Sequence, residues 1–351
     1  MEKLVFYGLY GSFSIDKVGG IESIIRRLAD VHIANGGKVV LIYYGSKKHN
    51  ITNEKVGEIT IINIVSFFDA LKTLNSYNKS IIINIYSTPI ERIRHHFFKK
   101  KYKYFIILSS FPESSIKKLL IKLQTRFIKK NVKYITLSKR INSKLVSKKT
   151  TSFFLPPPIM DDFFIKKNEV NKSTKIIAFM GRLDFGKGAD IAYDVFNHLS
   201  KNSDLKFNFY SYHWKNDDWA QILSEKIKKH PRMNLIEESV DNYSKDIDIK
   251  LANCIDSTDL FFLPYRFLMS TVDTPLVPLE ILSRNGKIYT TDFEPFDDLK
   301  PLGCNVFSTK KLNNVNFLSQ QIIEVLDRPM IENNLTIYKA SNVYSILLEN
   351  A

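Results

Sequence analysis

Cysteine is nearly absent: Cys254 and Cys304 are the only two in 351 residues, and neither has a histidine or a further cysteine nearby at metal-ligand spacing. That excludes a disulfide framework and a cysteine-based zinc site, and it points to a reducing compartment. No uninterrupted apolar run approaches 20 residues, so no transmembrane helix is expected. The N-terminus, MEKLVFYGLYG, lacks the basic start and long apolar stretch of a signal peptide and runs directly into a strand-like segment. A cytoplasmic protein is the expectation. Glycine and proline are scarce, at 13 and 12, and with 44% apolar and 25% charged residues this excludes the fibrous and disordered classes. There is no low-complexity segment and no short-period repeat.

Acid is missing from one half only. Residues 1–170 hold 30 Lys and Arg against 12 Asp and Glu, whereas residues 171–351 hold 21 against 24, so the net charge of +15 arises entirely in the first half. Between Lys99 and Lys149 there are 16 basic residues and one acid, Glu113. Such a run implies a polyanionic partner or an anionic surface for that half.

The length suits two domains. In the first half, LVFYGLYG, KVVLIYYG, EITIINIV, SIIINIY, KYFIILSS and VKYITLS read as buried strands, and Ile21, Ile24, Ile25, Leu28 and Val31 recur at helical spacing before Gly36-Gly37. This is the pattern of a parallel sheet covered on both faces. FFLPPPIMDDFF, Phe153 to Phe164, interrupts it, because three prolines continue neither a helix nor a central strand; it reads as an interdomain linker. A second alternation follows, from TKIIAFM through ADIAYDVFNHLSK, LKFNFYSY, DWAQILSEKIKKH, MNLIEE, DLFFLPY and LVPLEILSRNG to KIYTTD. The predicted class is α/β, with two doubly wound, Rossmann-like domains over 1–158 and 159–335. The last residues, 336–351, form a helix expected to cross back to the first domain.

AFMGRLDFGKGAD, Ala178 to Asp190, lies between a predicted strand and helix. There, backbone amides and a helix N-terminus can approach a phosphate, and Arg182 and Lys187 add two full charges. A tight turn with two solvated cations is the plainer alternative. Gly181, Gly186 and Lys187 match the P-loop G-x-x-x-x-G-K-[ST], but Gly188 stands where a magnesium-holding hydroxyl belongs, and no apolar strand ends in an acid at the Walker B position.

MGRLDFGKGADIAYDVFNHL resembles instead the G-R-L-x-x-x-K-G signature of retaining GT-B glycosyltransferases of the large group one family. KVGGIESIIRRLADVHIANGGKVVLI is similar to that family's glycine-rich loop and first helix, STDLFFLPYR to the strand leading to its donor site, and TPLVPLEILSRNGKIYTTD, Thr274 to Asp292, to its glutamate motif. The resemblance covers both halves and implies a GT-B fold with two Rossmann-like domains facing across a cleft. It also implies a nucleotide diphosphate sugar as donor, UDP- or GDP-linked, with no metal and no cofactor. Arg182 and Lys187 would stabilise the leaving diphosphate. Glu280 would bond the donor ribose, amides near Leu276 and Val277 would face the diphosphate and sugar, and Gly181, Gly19 and Gly20 would line the site where a side chain blocks close approach.

The chain departs from the family in two places. The acid eight positions before Glu280 is Val272 here, so Asp273 is the candidate for the sugar hydroxyls, and the family's N-domain histidine is replaced by Tyr86, Ser109 or Ser110. A degenerate, binding-only relative is therefore an alternative. Asp246 and Asp248 match a metal-binding D-x-D in a pattern too short to carry weight, and His95-His96 reads as a surface pair. Trp214 and Trp219 are packing residues or a rim of the donor pocket.

SSIKKLLIKLQTRFIKKN places Ile116, Leu119, Leu120, Leu123 and Phe127 on one helical face with Lys117, Lys118, Lys122, Arg126, Lys129 and Lys130 around it. With the adjacent RIRHHFFKKKYKYF, where Phe97 and Phe98 are candidate anchors, this suits an anionic membrane surface. Nucleic acid would attract the same charges, but no nucleic-acid motif is present. The sequence thus predicts a cytoplasmic, peripherally membrane-associated hexosyltransferase with a lipid-linked or glycan acceptor.

Overall fold

The computed structural model describes residues 2–10, 19–44, 53–64, 66–77, 79–85, 103–108, 132–146, 151–164, 174–201, 204–213, 217–239, 247–267, 274–329, 331 and 334–351. The chain divides into two compact units: one comprises residues 1–15, 21–158 and 337–351, the other 16–20 and 159–336. Among the described residues no helix is long and apolar enough to cross a membrane.

The first unit is built on β1 (Leu4–Tyr10), β2 (Val39–Tyr44), β3 (Asn53–Val56), β4 (Ile59–Ile64), β5 (Ile81–Asn84), β6 (Lys103–Leu108), β7 (Val132–Thr136) and β8 (Ser152–Phe154). Their order across the sheet is β3-β4-β2-β1-β5-β6-β7-β8. Every neighbouring pair is parallel except β3 with β4, a hairpin closed at Gly57 and Glu58. An antiparallel edge strand needs only a two-residue turn, and NEKV, with its charges, shows no apolar alternation that would reveal it in sequence. Leu4 to Tyr7 are wholly buried, as a central parallel strand requires. Helix α1 (Gly20–Ala34) buries Ile21, Ile24, Ile25 and Leu28; its end is closed by Gly36 N–H to Ile33 O, 2.8 Å, and Gly37 N–H to His32 O, 2.9 Å. Helices α2 (Phe67–Ser76) and α3 (Lys139–Val146) also belong to this unit, the latter burying Ile141 and Leu145.

The proline stretch is more ordered than a tether. Phe153 and Phe154 belong to the edge strand β8, and Leu155 through Ile159, prolines included, are buried. The Pro158 carbonyl accepts a buried hydrogen bond from Arg27 Nη1 at 3.0 Å.

In the second unit, β9 (Lys175–Arg182), β10 (Leu205–His213), β11 (Met233–Ser239), β12 (Leu260–Leu263), β13 (Ile288–Thr291) and β14 (Cys304–Phe307) form a sheet ordered β11-β10-β9-β12-β13-β14, parallel throughout. Its helices are α4 (Ala189–Leu199), α5 (Asp218–Lys229), α6 (Ile247–Ser257), α7 (Leu276–Ser283) and α8 (Val315–Asp327). Phenylalanine fills this core: Phe196 stacks on Phe207 at 5.0 Å between ring centroids and meets Phe209 edge-on at 5.3 Å, while Phe262 stacks on Phe307 at 5.9 Å. The strand order changes direction between β9 and β12, and the crevice at the carboxyl ends of such a pair is where open α/β sheets bind ligands.

Helix α9 (Ala340–Asn350) belongs to the first unit, where Tyr344 Oη lies 2.6 Å from Nδ1 of the buried His32, and Lys133 Nζ donates to Asn350 O at 2.6 Å.

Candidate functional site

Strand β9 is central in its sheet and delivers Gly181 and Arg182 at its carboxyl end. Gly181 has φ 148°, a backbone state open to glycine. Leu183 then anchors the turn in the core, and Asp184 organises it: Oδ1 accepts the Lys187 N–H at 2.7 Å, and Oδ2 pairs with Arg182 Nη2 at 3.1 Å. Gly188, with φ 71°, precedes α4. A Cβ on it would lie 1.9 Å from the Pro264 carbonyl oxygen, so neither serine nor threonine fits. The turn as folded therefore has no place for the hydroxyl that a P-loop requires at this position.

Lys187 is half-buried, with its ammonium 4.4 Å from the centre of the Tyr265 ring. Burial, reinforced by the Arg182 charge and partly offset by Asp184, lowers its pKa to about 8. It is therefore charged at neutral pH while lying close to its titration. Tyr265 is itself buried and stacks on Phe296 at 5.6 Å; burial raises its phenol pKa. Next to Phe296, the Pro295 carbonyl accepts the Thr274 N–H at 3.1 Å, and Thr274 leads into α7 through Pro275. These contacts join the cationic turn after β9 to the start of α7 after β12, across the point where the strand order changes.

Leu276 and Val277 open α7, and Pro278 follows without an N–H, so the first turn carries two amides that have no intrahelical partner. Thr274 adopts φ 54° while fully buried, a conformation that sets the entry angle of this helix. Glu280 is 4% exposed on the same helix. Gly181 and Arg182 thus end β9, Lys187 follows in its connection, and Leu276, Val277 and Glu280 lie on the helix that follows β12.

Gly19 is half-buried, and Gly20 is the exposed first residue of α1, where an added Cβ meets nothing within 4 Å. Gly20 is thus not glycine for want of space within the chain. Asp273, Val272, Tyr86, Ser109, Ser110, His95, His96, Phe97, Phe98, Trp214, Asp246 and the basic segment 114–131 lie outside the described residues. Asp248 is on α6, and among the described residues no group of three or more His, Cys, Asp or Glu could hold a metal ion. Cys254 and Cys304 are free thiols raised to about 11 and about 12, chiefly by burial. Trp219 is partly buried against the core and faces Phe185 edge-on at 6.4 Å.

Solved structures share this architecture over nearly their whole length. Sucrose-phosphate synthase from Thermosynechococcus elongatus matches 100% of this chain and 94% of its own, with a TM-score of 0.67 and 12% identity. WaaG, a glycosyltransferase involved in lipopolysaccharide biosynthesis, matches over 99% and 98%, with a TM-score of 0.59 and 13% identity. S. aureus TarM, solved with UDP, matches over 100% and 96%, with a TM-score of 0.60 and 11% identity. The chain has the GT-B fold. No family model matches the sequence, and no curated protein matches it.

Within this GT-B chain, sequence reasoning missed Tyr265 and Arg266. Tyr265 supports Lys187, and Arg266 clamps the turn by donating its N–H to Gly186 O at 2.9 Å and two guanidinium bonds to Asp190 at 2.7 and 2.8 Å. Their signal was a tyrosine and an arginine directly after an apolar strand, LFFLPYR, at the carboxyl edge where ligands bind.

Proposed function

We propose that this GT-B chain is a glycosyltransferase that moves a hexose from a nucleotide diphosphate sugar to a lipid-linked or glycan acceptor, with retention at the anomeric carbon and without a metal. The observation that carries this reading is the turn from Gly181 to Gly188, where Arg182 and Lys187 leave the central strand together, joined through Tyr265 and Phe296 to the start of α7. In the transfer, the bond from the anomeric carbon to the diphosphate breaks and the acceptor hydroxyl oxygen bonds to that carbon, releasing a nucleoside diphosphate and a proton. Negative charge grows on the departing phosphates, so fixed cations and the two helix amides without an intrahelical partner, those of Leu276 and Val277, lower the barrier most where the charge appears. Glu280 bonds the donor ribose, and Asp273 contacts the sugar hydroxyls.

A uridine donor is supported by the TarM complex with UDP and by the E. coli trehalose-6-phosphate protein bound with UDP-2-fluoro glucose; a GDP-linked donor is the other choice. WaaG's part in lipopolysaccharide synthesis supports a lipid-linked acceptor, as does the excess of basic residues between Lys99 and Lys149. The enzyme then works from the cytoplasm as a peripheral protein on an anionic membrane face.

The test is a thermal-shift series with UDP, GDP, ADP and CDP and their sugars, with and without EDTA. Stabilisation by at least one of them, unchanged by EDTA, is expected; none by any sinks the proposal. Arg182→Ala and Lys187→Ala each remove a charged contact to the diphosphate and should weaken binding about ten- to a hundredfold in calorimetry.

A further inference from the structure

Among the described residues the exposed phenylalanines are Phe68, Phe185 and Phe267, and two of these meet: Phe185, 50% exposed, and Phe267, 53% exposed, have ring centroids 6.0 Å apart. A single exposed apolar side chain needs no explanation. A pair in contact beside a turn that carries two cations does. Arg266 holds Phe185 in place, with its guanidinium carbon 3.8 Å from the ring centre. That guanidinium is itself locked, donating to Phe185 O at 3.2 Å and to both Asp190 carboxylate oxygens. Trp219 meets the ring edge-on, with centroids 6.4 Å apart. The fold thus fixes the Phe185 ring beside Phe267 and leaves both open to solvent.

Phe185 lies in the turn that carries the two cations, three residues after Arg182 and two before Lys187. With consecutive Cα atoms about 3.8 Å apart, the Phe185 Cα lies within roughly 11 Å of that of Arg182 and roughly 8 Å of that of Lys187, so the ring and the two cations flank one short turn. In a nucleoside diphosphate the flat group at that reach is the base, one ribose from the phosphates. An anionic lipid surface is the poorer occupant, because residues 171–351 carry 24 acidic against 21 basic side chains.

We infer that Phe185 and Phe267, the former locked by Arg266, form the platform on which the donor's nucleobase stacks. The inference rests on the donor reading above. Neither ring has a hydrogen-bond donor or acceptor, so the platform grips the face of a base without reading its edge. UDP and GDP should both bind, and discrimination between them must come from elsewhere.

The experiment compares wild type, Phe185→Ala, Phe267→Ala, the double variant and Phe185→Trp, titrated calorimetrically with UDP, GDP and inorganic pyrophosphate. Ligand-free melting confirms that each variant folds. Loss of one stacking partner should lower nucleoside diphosphate affinity about five- to a hundredfold, with pyrophosphate affinity within about twofold and Phe185→Trp restoring the loss. Nucleotide affinity that stays within twofold in the double variant overturns the platform. An equal fall for pyrophosphate also overturns it, since the rings would then shape the turn rather than hold the base. If wild type binds pyrophosphate but neither nucleotide, the platform fails alone; if it binds none of the three, the donor reading fails and the platform with it. A wild-type dimer in sedimentation that dissociates in the double variant would show the patch to be a self-association surface and would also overturn the inference.

Discussion

The two units of this chain arrange positive charge in opposite ways. Residues 1–170, which supply most of the first unit, hold 30 basic against 12 acidic residues, yet that unit's buried sheet is chiefly Ile, Val and Leu. The second carries no positive excess but delivers Arg182 and Lys187 to the end of its central strand, with Asp184, Tyr265 and Arg266 holding the turn. Net charge attracts an anionic surface over a Debye length of about 8 Å and is screened by salt, whereas placed charges act at contact in a partly dry site. The total of +15 is therefore a poor guide to where cations are held in place by the fold.

The contrast breaks most visibly in the basic half. Replacing Lys117, Lys118, Lys122, Arg126, Lys129 and Lys130 together by Gln should cost roughly 1 kcal/mol of membrane attraction for each residue near the surface. Flotation with anionic vesicles should fall more than a hundredfold, while nucleoside diphosphate affinity stays within about twofold. A parallel fall in both would show that the basic half serves the donor.

Gly188→Ser restores the P-loop consensus on paper but drives a Cβ onto the Pro264 carbonyl at a left-handed φ. A loss of about 2–4 kcal/mol is expected, lowering the melting temperature by about 5–15 °C, with no gain of magnesium-dependent nucleotide binding.

Lys187 sharpens the contrast through pH. With its pKa at about 8, its charge is present at pH 7 and mostly gone at pH 9. Diphosphate affinity should fall by up to about tenfold over that interval, and binding near pH 8.5 should take up a proton, visible as a dependence on buffer ionisation enthalpy. Lys187→Arg should remove both effects. In the first unit, by contrast, the buried His32 has its pKa pushed below the ordinary 6.5, mainly by desolvation. The unfolded chain then binds the proton first, so stability is full above pH 6.5 and declines as pH falls below it. Denaturant melts between pH 7.5 and 5 should show this small loss, and His32→Gln should flatten it.

Much of the fold was legible from the sequence because both sheets are buried and, apart from the β3–β4 pair, parallel. Runs such as LVFY and IIAFM must be apolar on both faces, and helices with an apolar stripe must alternate with them. The hairpin strand β3 escaped because NEKV is a polar edge, and the buried proline segment escaped because proline content says nothing about burial. In the site, Gly181, Arg182 and Lys187 stood out because their spacing is local to one turn.

What the sequence determined by itself is whatever depends on neighbours within a few residues: strand periods, helix stripes, a glycine turn flanked by two cations, and a charge confined to one half. Tertiary structure alone decided that Gly188 admits no side chain, since Pro264 lies 76 residues away, and that Lys187 rests on Tyr265 with a lowered pKa. It alone brought Phe185 and Phe267 together through Arg266. Each of these follows from the pairing of β9 with β12. That pairing brings together residues about 80 positions apart, a separation over which no local pattern in the chain carries information.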